Sequence, residues 1–164
     1  MTDQPMSRTA DTLPEWDLSD LYTGRDDPAL ARDLDEAERR ARDFAETFRG
    51  KVAALDGAGF AEAIRTYEGL AELLGRIMSF AQLRHATDVS DPEVARFYQQ
   101  MQERATDISA HTLFFSVEVN ELSDAAMDAL LAHEAVAVYA PWLREVRLFR
   151  AHQLSEEMER LLHE

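Results

Sequence analysis

The stretch DDPALARDLDEAERRARDFAETFRG, residues 26–50, places apolar side chains at Leu30, Leu34, Ala37, Ala41, Phe44 and Phe48. Alternating steps of four and three residues put all six on one stripe of an α-helix, and no strand, with its period of two, could bury them together. Charged residues fill the opposite face. Asp26 or Asp27 can cap the start, Pro28 suits a first turn where no N–H partner is needed, and Gly50 stands where helices commonly end.

A second helical seam runs through Phe60, Ile64, Tyr67, Ala71, Leu74, Met78 and Ala81. Leu70, Leu73, Ile77 and Phe80 widen it, so this helix is expected to be buried on more than one side. Gly69 and Gly75 weaken helix propensity, and close approach of a neighbouring helix would account for them. The third segment opens on SDPE, in which Ser90 and Glu93 have capping-box spacing. Its seam passes Val94, Tyr98, Met101, Ala105, Ile108, Thr112, Phe115 and Val119, which predicts one helix over residues 91–121, about 46 Å long. Thr112 alone interrupts the apolar series.

Shorter helices follow, one capped by Ser123 and carrying Met127, Leu130, Leu131 and Ala135, another starting at Pro141. The β-branched AVAVY, residues 135–139, is the least helical part. The final LSEEMERLLHE begins a helix with Ser155 as cap and acids in its first turn. Met158, Leu161 and Leu162 read as the opening positions of a longer helix that is cut short. The fold class is all-α, a bundle of long antiparallel helices joined by short turns and preceded by an extended leader.

A chain of 164 residues buries roughly 70% of the surface its unfolded form exposes, so no disulfide or metal is needed for stability. There are no cysteines, which removes thiol nucleophiles and Cys-type zinc sites. A net charge of −15 repels phosphate backbones and anionic lipid, arguing against nucleic acid and membranes as partners. The first fifteen residues lack the apolar run of a secretory signal, and no stretch approaches the length of a membrane helix. The chain is read as cytoplasmic.

Sites of chemistry are not evident. His133 and Glu134 start the stretch HEAVA, but the second histidine of a zinc-peptidase helix is replaced by Ala137. The histidines at 85, 111, 133, 152 and 163 contain no pair within five residues. His85 suits the dipole at a helix end, and His111 flanks a packed seam. Acid neighbours such as Asp33 with Glu36, or Glu156 with Glu157, are ordinary on solvated faces. Arg144, Arg147 and Arg150 recur every third residue beside Trp142, Val146 and Phe149; they could bind a carboxylate or an acidic partner surface, but pairing with the chain's own acids is the simpler role.

Three stretches in order, LPEWDLSDLYTG (13–24), RIMSFAQLRHATDVSDPEVARFYQ (76–99) and WLREVRLFRAHQLSEEMERLL (142–162), resemble the amino-terminal part of the oligoendopeptidase F family of zinc metallopeptidases. The resemblance implies one lobe of a larger, mostly helical enzyme that cleaves short peptides in a deep channel, using a His-Glu-x-x-His zinc helix and a later glutamate. Nothing in this sequence matches those positions, so no catalytic, cofactor-binding or metal residue is assigned. Zinc is expected in a carboxy-terminal catalytic domain, which would be this lobe's partner along with short peptide substrates.

The expected division is a flexible N-terminus over residues 1–12, a helical lobe over 13–154 and a truncated helix from 155 to 164. An unpaired lobe should expose apolar surface, through which two copies could pair. The alternative is a free-standing helical adaptor that binds a protein partner. In the family layout Trp16, Leu18, Leu21 and Tyr22 anchor the leader, at roughly 1.5 to 3 kcal/mol each before entropy is counted. On that expectation Trp16→Ala lowers the melting temperature.

Overall fold

The structure, a computed structural model, describes residues 16–148, 150–154 and 156–163. All regular structure among the described residues is helical. Helix α1 spans Pro28–Phe48, and its six stripe residues are all buried. Asp27 is the cap: its carboxylate accepts from the Ala29 N–H at 2.8 Å, with Pro28 in the first turn. Gly50 ends the helix with φ +74°, a left-handed conformation that suits glycine. The carboxylate of Glu118, far along the chain, then accepts from the Gly50 and Val52 N–H groups and fixes this turn.

Helix α2, Gly57–Thr87, starts from an Asp56 cap and packs along α1, α3 and the later helices. Its buried line runs Phe60, Ile64, Leu70, Ile77 and Phe80, while Ala71 of the expected seam is exposed. The widening residues thus carry the burial beyond Tyr67. Gly69 and Gly75 face open space, so close packing does not account for them. The close approach is at Gly57, where an added Cβ would lie 2.5 Å from the His133 Cβ.

Helix α3 covers Pro92–Ala110 and is shorter than expected. Its cap is Asp91, which accepts from Glu93 N–H, while Ser90 bonds instead to Asp88. At His111 and Thr112 the regular ladder gives way to tighter bonds, His111 N–H to Ile108 O and Thr112 N–H to Ser109 O. The Thr112 hydroxyl also donates to Ser109 O at 2.9 Å, competing with the backbone as threonine commonly does. Helix α4, Leu113–Glu121, resumes after this break. The seam survives it, because Ile108, Thr112, Phe115 and Val119 are all buried.

Helix α5 (Asp124–Leu131) is capped by Ser123, whose hydroxyl accepts from Ala126 N–H. A short α6 (Glu134–Ala137) and α7 (Ala140–Leu148) follow, split by a turn at Val138 and Tyr139 within the β-branched stretch. A 3-10 turn, Arg150–His152, leads to α8, Glu156–His163. Ser155, expected to cap α8, and residues 1–12 lie outside the described residues.

Two apolar cores result. One gathers Phe44, Phe60, Phe114, Phe115, Val136 and Leu143 from α1, α2, α4, α6 and α7. The other gathers Leu30, Leu34, Leu70, Ile77, Phe80 and Phe97 from the three long helices. Helices α1 and α2 run through both.

The leader docks, though not by its tryptophan. Trp16 is 71% exposed, whereas Tyr22 is 2% exposed and Leu18 and Leu21 are half-buried against the second core. The Tyr22 ring meets Phe80 edge-on at 5.3 Å and its hydroxyl donates to Asp33 at 2.7 Å. Arg76 lies 4.8 Å from the same ring and donates to Leu21 O at 3.1 Å. Burial, then the Asp33 contact, pushes the Tyr22 pKa well above the usual tyrosine range.

Tyr22→Ala should therefore cost about 3 to 5 kcal/mol, and Trp16→Ala should stay within about 0.5 kcal/mol, both measured by denaturant melts. Because folding holds Tyr22 neutral, its contribution is complete below the unfolded tyrosine pKa and declines as pH rises beyond about 10. Tyr22→Phe should flatten that alkaline loss. Gly57→Ala should destabilise by about 1 to 3 kcal/mol through overpacking, while Gly69→Ala and Gly75→Ala should stabilise by about 0.4 to 1 kcal/mol each.

Candidate functional site

The described histidine side chains, at 85, 111, 133 and 152, do not form a cluster. His85 stacks on Tyr98 at 5.1 Å, His111 ends α3 with its carbonyl accepting from Arg49, and His133 precedes α6 against Gly57. His152 lies in the 3-10 turn before α8. Among the described residues no three His, Asp or Glu side chains stand close enough to hold a metal. The zinc centre that the resemblance implies is expected in another domain, and no step through zinc is derived for this chain.

The surface grooves differ in character. One of about 530 Å³ lies between the starts of α1 and α3, where Arg25, Asp26, Asp27, Glu93 and Arg96 are among the residues lining it. Its mixed charges leave no single sign of field to select a ligand. A second, of about 390 Å³, lies between α4, α7 and the 3-10 turn, and no described lining residue is Asp, Glu, Lys or Arg.

Two of the three arginines, Arg147 and Arg150, find partners near the end of α4. The Arg147 side chain is 14% exposed and donates to Val119 O at 3.2 Å and Leu122 O at 3.0 Å, satisfying carbonyls at the end of α4. It also pairs with Asp124, as does Arg150 at 3.0 Å. Pairing with the chain's own acids thus describes Arg147 and Arg150. Arg144 is exposed.

Beyond this clamp the surface turns apolar. Leu148, Leu154, Met158, Leu161 and Leu162 are between 43% and 75% exposed. Met158, Leu161 and Leu162 have the spacing of one helix face. The sequence pattern already pointed to Met158, Leu161 and Leu162. Asn120 and Gln153, which join α4 to the turn before α8, were not legible, because the two residues are 33 positions apart and neither has a motif.

Residues 118–164, from within α4 through α8, match the family model described as Oligopeptidase F. The fold is similar to the crystal structure of oligoendopeptidase-F from Enterococcus faecium, with a TM-score of 0.72 at 20% identity. That likeness covers 82% of this chain and 26% of the other, so the chain spans about a quarter of the length of the protein it matches. No curated protein matches. The resemblance to the oligoendopeptidase F family holds in the sequence of the last helices, and the structural likeness shows a shared fold.

Arg147→Ala should destabilise by about 2 to 3 kcal/mol, because two buried carbonyls and a carboxylate lose a charged donor. Arg144→Ala should change stability by less than about 0.5 kcal/mol. Chemical denaturation of both variants checks the contrast.

Proposed function

We propose that this chain is the non-catalytic amino-terminal helical lobe of an oligoendopeptidase F-like zinc metallopeptidase that hydrolyses short peptides. The observation that carries the reading is the family match over residues 118–164, which includes the helix that exposes Leu161 and Leu162. In this reading the apolar face on α8 packs against the catalytic lobe of the same polypeptide, and the bundle helps wall the peptide channel and limit what enters it. Zinc and its ligands belong to that other lobe. The setting is cytoplasmic, consistent with the absence of any described helix long and apolar enough to cross a membrane. The same face would let two copies of the isolated chain pair.

The test has two arms. The 164-residue chain alone should not turn over a quenched fluorescent peptide, with or without added zinc. The polypeptide encoded by the longer reading frame should contain His-Glu-x-x-His and cleave the peptide in a zinc-dependent manner. Turnover by the isolated chain would overturn the non-catalytic assignment. A natural stop codon directly after Glu164 would favour a free-standing adaptor.

A further inference from the structure

We infer that the turn over residues 50–52 is a carboxylate-binding nest whose resident ligand is the side chain of Glu118, and that a small free monocarboxylate takes its place once that side chain is removed. Glu118 Oε1 accepts from Gly50 N–H at 2.7 Å and Oε2 from Val52 N–H at 3.2 Å, so one turn holds both oxygens of one carboxylate. The intervening Lys51 N–H is engaged elsewhere, donating to Phe48 O at 3.0 Å. Two N–H groups that converge on an anion around a left-handed residue form a backbone anion nest.

The main chain is shaped for this contact. Gly50 has φ +74°, and an added Cβ there would meet no atom within 4 Å, so glycine serves the conformation and not a tight fit. The charge is held by backbone alone. Among the described residues Glu118 makes no ion pair, in a chain with 17 lysines and arginines. Even Lys51, between the two donors, sends its ammonium to the Glu46 and Thr47 carbonyls at 3.0 and 2.8 Å. A carboxylate beside a lysine yet bonded to two N–H groups is recognised by the path of the main chain, the chemistry by which nests capture the terminal carboxylate of a peptide.

Here the ligand is tethered. Glu118 lies 68 residues beyond Gly50, and α4 delivers it at an effective concentration that a free carboxylate does not match. Gly50 is exposed and Glu118 half-buried, so solvent reaches the mouth of the nest. With the tether cut, both N–H groups lose their acceptor and the turn is open to formate.

The test follows the Gly50 and Val52 amide protons of the isotope-labelled 164-residue chain by NMR. In Glu118→Ala, formate should shift both in a saturable way, with an affinity of roughly 1 to 100 mM. Formamide, of similar shape and uncharged, should bind at least about fivefold more weakly. On the unaltered chain formate should leave both resonances in place. No saturable shift in the variant, an equal response to formamide, or an equal response from the unaltered chain would overturn the nest. Should Glu118→Ala fail to fold, Glu118→Gln keeps the size of the side chain and leaves one acceptor oxygen for two donors. Hydrogen-exchange protection at Gly50 or Val52 should then fall about fivefold or more; unchanged protection at both would overturn the proposal.

Discussion

Phe44 holds the structure together. From α1 its ring meets Phe48 at 5.1 Å, Tyr67 of α2 at 6.0 Å, and Phe114 and Phe115 of α4 at 5.4 and 5.2 Å. Trp142 of α7 extends the cluster by stacking on Phe115 at 6.4 Å and lying 6.0 Å from Tyr67. Aromatic pairs of this geometry add roughly 0.5 to 1.5 kcal/mol each beyond the area they bury. Because one ring touches α1, α2 and α4, and through them α7, the later short helices have something rigid to pack on. Helices of four to nine residues would not persist without it.

The charges play a smaller part. Arg39 bridges Glu36 and Asp43 along α1, Arg40 joins Glu36, and Glu38 links Arg42 to Arg104 of α3. The hydrogen bonds from Arg39 and Arg40 hold the Glu36 carboxyl down to about 2. These groups are largely solvated, and exposed ion pairs contribute little to stability. Of the pairs named, Glu38–Arg104 joins α1 to α3, and the others lie along α1 itself.

Much of this was legible in the sequence where one face alone was apolar. The α1 stripe is such a case, and all six of its residues are buried. Helix α2 is apolar on two faces, so its periodicity identified a helix but not which line of residues points inward; Leu70, Ile77 and Phe80 are in, Ala71 is out. Likewise an unbroken seam does not guarantee an unbroken helix, because burial of Ile108, Thr112, Phe115 and Val119 tolerates a tightened turn between them. Trp16 misled because hydrophobicity alone does not say which aromatic finds a pocket, and Tyr22 is the one with Phe80, Asp33 and Arg76 around it. The Asn120–Gln153 pair depends on the path of the chain through α5 to α7, which no local pattern encodes.

Helix α2 is 31 residues long, about 46 Å, and passes through both cores without interruption. One end carries Gly57 against His133; toward the other, Arg76 and Phe80 grip the leader at Leu21 and Tyr22. It acts as a girder: one uninterrupted helix sets the separation between the contact with His133 and the grip on the leader.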